Sequence, residues 1–322
     1  IGKSGNTQTI NLSNDITTTS DQRYNGPVIL SGGNRTLTAG TSSDNIFFES
    51  TVDSDGTARS LNVSAGTNSG GVITFTGAVG GNSELSGLTS DSNLFKAGSN
   101  ITLAGLLDVD IYGNSQSSNY GIAGGILDGT SPASFSKGGR ANRWLEVYGN
   151  NNYTGATTIK AGYLRITNDS PQSFLNNTTF TGPGHLQIRP NSTNFSSVLS
   201  MSDINFTGTS INELYLGRSG TNTKLVLDED ISTGNEIHIY MPVEVNGGDR
   251  SITATNDNIR FYQTINSDTS ARTLTLDSGN GNVRIDGAVG NSAPLNNINI
   301  IAEALTAGAI SLNGALTATL GG

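Results

Sequence analysis

A parallel β-solenoid is the fold class this sequence predicts. Three observations predict it: short alternating strands separated by turn residues, an apolar content too low for a wide core, and a long internal repeat. The strands come first. Thr36 to Ala39, Ser60 to Ser64, Val72 to Thr76, Asn100 to Leu103, Arg272 to Leu276 and Asn282 to Asp286 all alternate with period two. That period puts Ile, Val, Leu and Phe on one face and Thr, Asn, Ser and Arg on the other. Gly, Asn, Ser and Asp fill the gaps, and these are the residues that build turns. Strand spacing alone would also permit an antiparallel sandwich. No stretch has helical apolar spacing beyond the short Ala302 to Ala307.

Composition narrows the choice. The chain has 322 residues, of which 34% are hydrophobic, 13% are charged and 42 are glycine. So few apolar residues cannot fill a wide globular core. Low charge argues against disorder, which pairs low hydropathy with high charge. A thin core extended by stacking satisfies both facts. There is no cysteine, so an exported form would be held by stacking and not by disulfides. The net charge is −9, which argues against nucleic acid and anionic membrane surfaces as partners. No apolar run is long enough to span a bilayer, and the first ten residues are not a signal peptide.

The repeat decides between a sandwich and a solenoid. Residues 26–107 and 241–316 align with few gaps. Pro27-Val28 matches Pro242-Val243, and Gly32-Gly33 matches Gly247-Gly248. Arg35 to Ala39 matches Arg250 to Ala254, and Gly77 to Gly80 matches Gly287 to Gly290. Most aligned apolar positions stay apolar, and most gaps fall in turns. Each copy spans about 75–80 residues, so copies must stack to bury their open ends. With rungs of roughly 20–25 residues, the expectation is one continuous β-helix over 1–322 with about 14–16 rungs, on the order of 70 Å long at ~4.8 Å per rung. The central segment 108–240 keeps the same pattern with longer excursions. Asn114 to Tyr120 and Thr130 to Arg143 read as protruding loops.

Residues 150–166 read NNNYTGATTIKAGYLRI. This closely resembles the autotransporter-associated repeat, through Asn152, Tyr153, Thr154, Gly155, Thr157, Thr158, Ile159, Ala161, Gly162 and Leu164. The two long copies are similar to repeats in filamentous-haemagglutinin-like adhesins, through a P-V strand, an L-T-A turn and a G-A-V-G turn followed by L-x-x-L. The resemblance implies a right-handed parallel β-helix exported to the bacterial surface or secreted, and names no ligand. In the motif, Tyr153 and Ile159 are expected to point inward, Gly155 and Gly162 to turn corners, and Thr157 and Thr158 to face solvent.

Asp108 and Asp110 share a strand face, and Asp128 follows in GGILDG, a segment similar to one in polygalacturonase-like hydrolases. Paired carboxylates facing one cleft are what glycoside hydrolysis needs; two solvated strand acids and a turn aspartate are the plainer reading. Asp228, Glu229 and Asp230 could suggest calcium, but neighbours on a strand point to opposite faces. His185 and His238 have no cysteine partners and suggest no metal or catalytic triad. Lys137, Arg140 and Arg143, with Trp144, form the basic cluster of the expected loop and are its candidate ligand contacts; a solubilising loop is the alternative. Phe174, Phe180 and Phe195 are expected inside. The expectation is a non-enzymatic stalk or passenger segment of an adhesin, with no cofactor and no metal. Its partners would be host or neighbouring-cell surface molecules, or copies of itself stacked end to end into a filament. A polysaccharide-active enzyme is the remaining alternative.

Overall fold

A computed structural model describes residues 1–5, 7–40, 43–66, 70–113, 120–175, 178–206 and 211–321. The loop expected over Asn114 to Tyr120 lies outside the described residues, apart from Tyr120. The chain packs as two compact units, residues 1–166 with 177–180, and residues 167–176 with 181–322. Each is a β-solenoid whose strand pairings are parallel, as the repeat predicted. The described helices are one four-residue turn, Gln172–Leu175, and one 3-10 turn, Met201–Asp203.

A full turn of the first unit holds three strands, named A, B and C in chain order. The A strands are Ile10–Leu12, Val28–Leu30, Val52–Ser54, Ile101–Leu103 and Ile126–Asp128, with Val79 bridging Val52 to Ile101. The B strands are Ile16–Thr17, Arg35–Ala39, Arg59–Ala65, Leu85–Ser92, Leu106–Ile111, Ser134–Gly139, Thr157–Ile159 and Phe180–Thr181. The C strands are Gln22–Tyr24, Ile46–Phe48, Val72–Phe75, Leu94–Ala97, Gly121–Ile122, Trp144–Val147 and Tyr163–Thr167.

The second unit repeats the order. Its C strands are His185–Arg189, Glu213–Leu216, Ile237–Ile239, Ile259–Phe261, Asn282–Ile285 and Ala304–Ala307. Its A strands run from Leu199–Ser200 through Leu225–Leu227 and Val243–Val245 to Ile265–Ser267. Its B strands are Ile231–Thr233, Arg250–Ala254, Leu274–Asp277, Ile298–Ala302 and Leu316–Leu320.

The 13 described C strands correspond to about 12 turns, fewer than the 14–16 expected. The reason is the excursions. Register partners are 18 residues apart at Ile10 and Val28, but 28 apart at Val109 and Lys137 and again at His185 and Glu213. A rung thus takes up to 28 residues where 20–25 were expected.

Alternation builds the core. Three-residue strands such as Val28–Leu30, Ile237–Ile239 and Ile259–Phe261 bury their first and third side chains and leave the second partly exposed. Successive rungs place like residues over like. Tyr24, Phe48 and Phe75 stack inside the first unit with ring centroids 5.1 and 4.7 Å apart, and Phe95 follows at 6.0 Å. Phe180 and Phe195 are buried as expected. The side chain of Phe174 lies outside the described residues.

Corners explain the abundance of Asn and Asp. A side-chain oxygen in one rung accepts the amide of the next rung's corner: Asp15 from Thr36, Asn34 from Ser60, Asn45 from Val72, Asn100 from Gly125. In the second unit Asp230 takes Ser251, Asp249 takes Thr273, Asn258 takes Asn282 and Asn297 takes Ala315, all at 2.8–3.0 Å. Amides that a bend would leave orphaned are thereby paired. Equivalent positions of the two long copies carry the same local geometry. Gly80 and Gly290 have φ of 68° and 69°, and a Cβ there would lie 2.2 and 2.1 Å from a carbonyl oxygen of the following rung. Only glycine fits such a corner.

Two local expectations need correction. Thr157 does not face solvent. It sits inside beside Ile159, its hydroxyl 2.5 Å from that of Tyr153 and 2.8 Å from that of Thr178. A small β-branched residue at an inward position provides the polar partner that the buried Tyr153 hydroxyl needs. The segment Thr130 to Arg143 is not a protruding loop either. Ser134–Gly139 is a B strand, paired with Leu106–Ile111 on one side and Thr157–Ile159 on the other.

Candidate functional site

The four residues expected to form a ligand-contact loop separate. Lys137 lies in register between Val109 and Ile159, two inward positions, and is 0% exposed. Its ammonium donates to the Ala161 carbonyl at 2.6 Å. The bare Cα of Gly162 makes room for it, since a Cβ there would lie 2.5 Å from Lys137 Nζ. Burial, opposed by the charge of Asp110, pulls the Lys137 pKa down to about 8. Arg140 and Arg143 form the following turn and close over Tyr112. Arg143 Nε donates to the Tyr112 carbonyl at 2.8 Å, and the Arg140 guanidinium lies 6.0 Å from the Tyr112 ring. Trp144 begins a C strand, stacked on Tyr163 at 4.0 Å with the Arg165 guanidinium 4.1 Å from its ring.

The candidate acids also divide. Asp108 and Asp110 face outward from one B strand, and Asp110 is in register with Asp91. Lys160 bonds both oxygens of Asp108 at 2.9 and 2.8 Å. Asp128 belongs to an A strand and is spent on a turn: it accepts the Ala133 amide at 2.6 Å and the Thr154 hydroxyl at 2.7 Å. Asp228 is similarly engaged by the hydroxyls of Ser200 and Ser202, and Asp230 by the Ser251 amide. Among the described residues no group of three His, Cys, Asp or Glu is placed to hold a metal ion.

The Asp91–Asp110 pair is electrostatically uncomfortable. Each has a buried Oδ1 without a hydrogen-bond partner. Burial, then the charge of Asp110, pushes the Asp91 carboxyl above its ordinary value, against a hydrogen bond from Tyr112. Burial, then Asp108, pushes Asp110 up, against Lys160 and Lys137. A carboxyl raised in the folded chain binds its proton more tightly there than when unfolded. It therefore supports the fold at low pH, and that support fades as pH rises above about 4 through the folded value. Asp110→Asn should melt above the parent at pH 7, with the gap closing below about pH 4. A gap that ignores pH would show that the pair is not the cause.

The second unit carries a site that residue-by-residue reading missed. On the outer surface of its C strands, parallel register aligns Glu213, Glu236, Asn258, Asn282 and Ala304 in one column, and Tyr215, His238, Arg260, Arg284 and Thr306 in the next. Between the columns lies a groove of about 360 Å³, floored by Ile259 and Val283. At one end His238 is fixed, with Nε2 2.8 Å from Glu236 and Nδ1 3.1 Å from the Tyr262 hydroxyl. Tyr215 stacks on its ring at 4.8 Å. Along one side Arg260 and Arg284 share Asp286, at 2.9 and 2.6 Å. The signal was present in the sequence: ELYL, EIHI, NIRF, NVRI and ALTA, at 213, 236, 258, 282 and 304, are one tetrapeptide column read five times.

Comparison with protein-family models, curated proteins and solved structures returns no match. No described helix is long and apolar enough to cross a membrane.

Proposed function

We propose that this chain is a non-enzymatic scaffold, a stalk or passenger segment of a bacterial surface or secreted adhesin. One observation carries the reading. Within each unit, parallel backbone ladders join successive rungs and corner Asn and Asp side chains tie several of them, so length is gained by adding turns. That is the requirement of a spacer that holds a binding surface away from a cell. Two of the carboxylates that would argue for an enzyme are engaged within the scaffold: Asp128 braces a turn, and Lys160 neutralises Asp108.

Negative-stain electron microscopy across a concentration series tests it, together with binding to a panel of host-cell and matrix ligands. Isolated elongated particles of constant size, with binding to cells or matrix, are expected. Long regular fibres would replace the stalk with a self-assembling filament. Release of reducing sugar from acidic or neutral glycans would overturn the non-enzymatic reading.

A further inference from the structure

The groove on the outer C surface of the second unit has an uneven hydrogen-bond account. Its acids are already satisfied. Glu236 accepts from Asn258 at 3.0 Å through Oε1 and pairs His238 through Oε2. Asp286 receives Arg260 Nε and Nη2 on Oδ2 and Arg284 Nε on Oδ1. Asn258 Oδ1 takes both the amide and the side chain of Asn282, at 3.0 and 3.1 Å.

What remains unspent is mostly donor. A guanidinium has five N–H groups, and Asp286 engages one from Arg284 and two from Arg260. The Arg284 side chain is 52% exposed and that of Arg260 32%. Exposed Thr306 and the Asn282 amide add neutral hydrogen-bonding groups at the far end. In a chain of net charge −9, this is a local reserve of unspent cationic donors.

The floor decides what kind of anion fits. Ile259 and Val283 belong to central strands, each paired on both sides. Their backbone groups are consumed by neighbouring rungs, so the groove cannot bind an extended peptide by adding a strand. The ring faces are consumed too. Tyr240 and Tyr262 stack at 4.0 Å, and Arg260 lies 4.2 Å from the Tyr262 ring. A ligand must therefore bring its own hydroxyls and a planar anion that an arginine fork can grip.

We propose that this groove binds a carboxylated polysaccharide, with a uronate carboxylate on Arg284 and Arg260 and sugar hydroxyls on Asn282 and Thr306. The site does not depend on the scaffold reading, because a stalk without it remains a stalk.

Titration calorimetry of the full chain with tetragalacturonate, cellotetraose and a poly-glutamate peptide tests the proposal. The uronate should bind, weakening as salt is raised, while cellotetraose of equal length does not. Arg284→Gln should lower uronate affinity about tenfold, the loss of one charge-assisted contact. Arg23→Gln removes an equally exposed arginine outside the groove and should change nothing. Thr306→Glu, at an exposed position, should also weaken binding while leaving the melting temperature in place, which separates a binding defect from a folding one. Equal binding of cellotetraose, equal loss in Arg23→Gln, or no uronate binding at millimolar concentration would overturn the site. Tighter binding of poly-glutamate than of uronate would replace the glycan with an acidic peptide.

Discussion

Phe48→Ala should cost about 3–5 kcal/mol of stability, the largest single-residue loss expected in the first unit. Phe48 is buried and sandwiched between Tyr24 at 5.1 Å and Phe75 at 4.7 Å, with ring planes 12° and 2° from parallel. Truncation removes the ring's own burial and both stacking contacts, each worth ~0.5–1.5 kcal/mol beyond area. The rungs on either side are pinned at the backbone spacing, so the void cannot collapse. Phe47→Ala is the internal control. Its ring faces outward under the Arg23 guanidinium at 4.1 Å, and such an exposed contact is worth about 0.5–1 kcal/mol. Urea midpoints of the two variants measure the contrast. A loss below about 1 kcal/mol at Phe48 would mean that the interior stack is not closely packed.

The second large effect belongs to Lys137 and should appear as a dependence on pH. Its folded pKa of about 8 lies below the unfolded value of 10.5. Between those values the unfolded chain binds more protons than the folded one, so stability rises with pH across that window. A gap of two to three pKa units corresponds to roughly 3 kcal/mol. Lys137→Met keeps the aliphatic volume and removes the titration. The parent should therefore gain roughly 3 kcal/mol on the variant between pH 7 and pH 10.5. The offset at pH 7 is smaller and has two parts of opposite sign. Losing a buried charge stabilises, whereas leaving the Ala161 carbonyl without its donor costs about 1–3 kcal/mol. The pH slope is the diagnostic, read from melting temperatures of parent and variant in matched buffers. A slope identical in the two proteins would place the ammonium in water.

These two residues mark what could and could not be read from the sequence. Phe48 was legible, because alternation in Asn45 to Phe48 and its counterpart Asn258 to Phe261 sets the inward parity. Parity is a local property, so the solenoid, the three-residue strands and the buried Tyr153 and Ile159 follow from it. Lys137 has the same inward parity, between Phe135 and Gly139, but a lysine among glycines and arginines suggests a solvated loop. What reverses that reading is Gly162, one rung later, which vacates the space for the ammonium. Such partnerships are set by register, and register depends on how long each excursion is. The same reason hid the groove: His238, Arg260 and Arg284 are unremarkable singly and become neighbours only once steps of 22 and 24 residues are known. The number of turns was overestimated because excursion length cannot be told from rung length when both use Gly, Asn and Ser.

The corner ties bear on fidelity of assembly. In a stack of short strands, a slip of two residues keeps every side chain on its proper side of the wall. Hydrophobic burial would therefore score the slipped and correct stacks almost alike, and a chain with this much internal similarity offers many such near-misses. A side-chain oxygen at Asp15, Asn34, Asp230 or Asp249 reaches one particular amide in the rung above. Shift that rung by two residues and the oxygen meets a different atom while the corner amide loses its partner. The Asn and Asp corners thus act as proofreading keys, verifying alignment one layer at a time where greasy contacts alone could not tell right from nearly right.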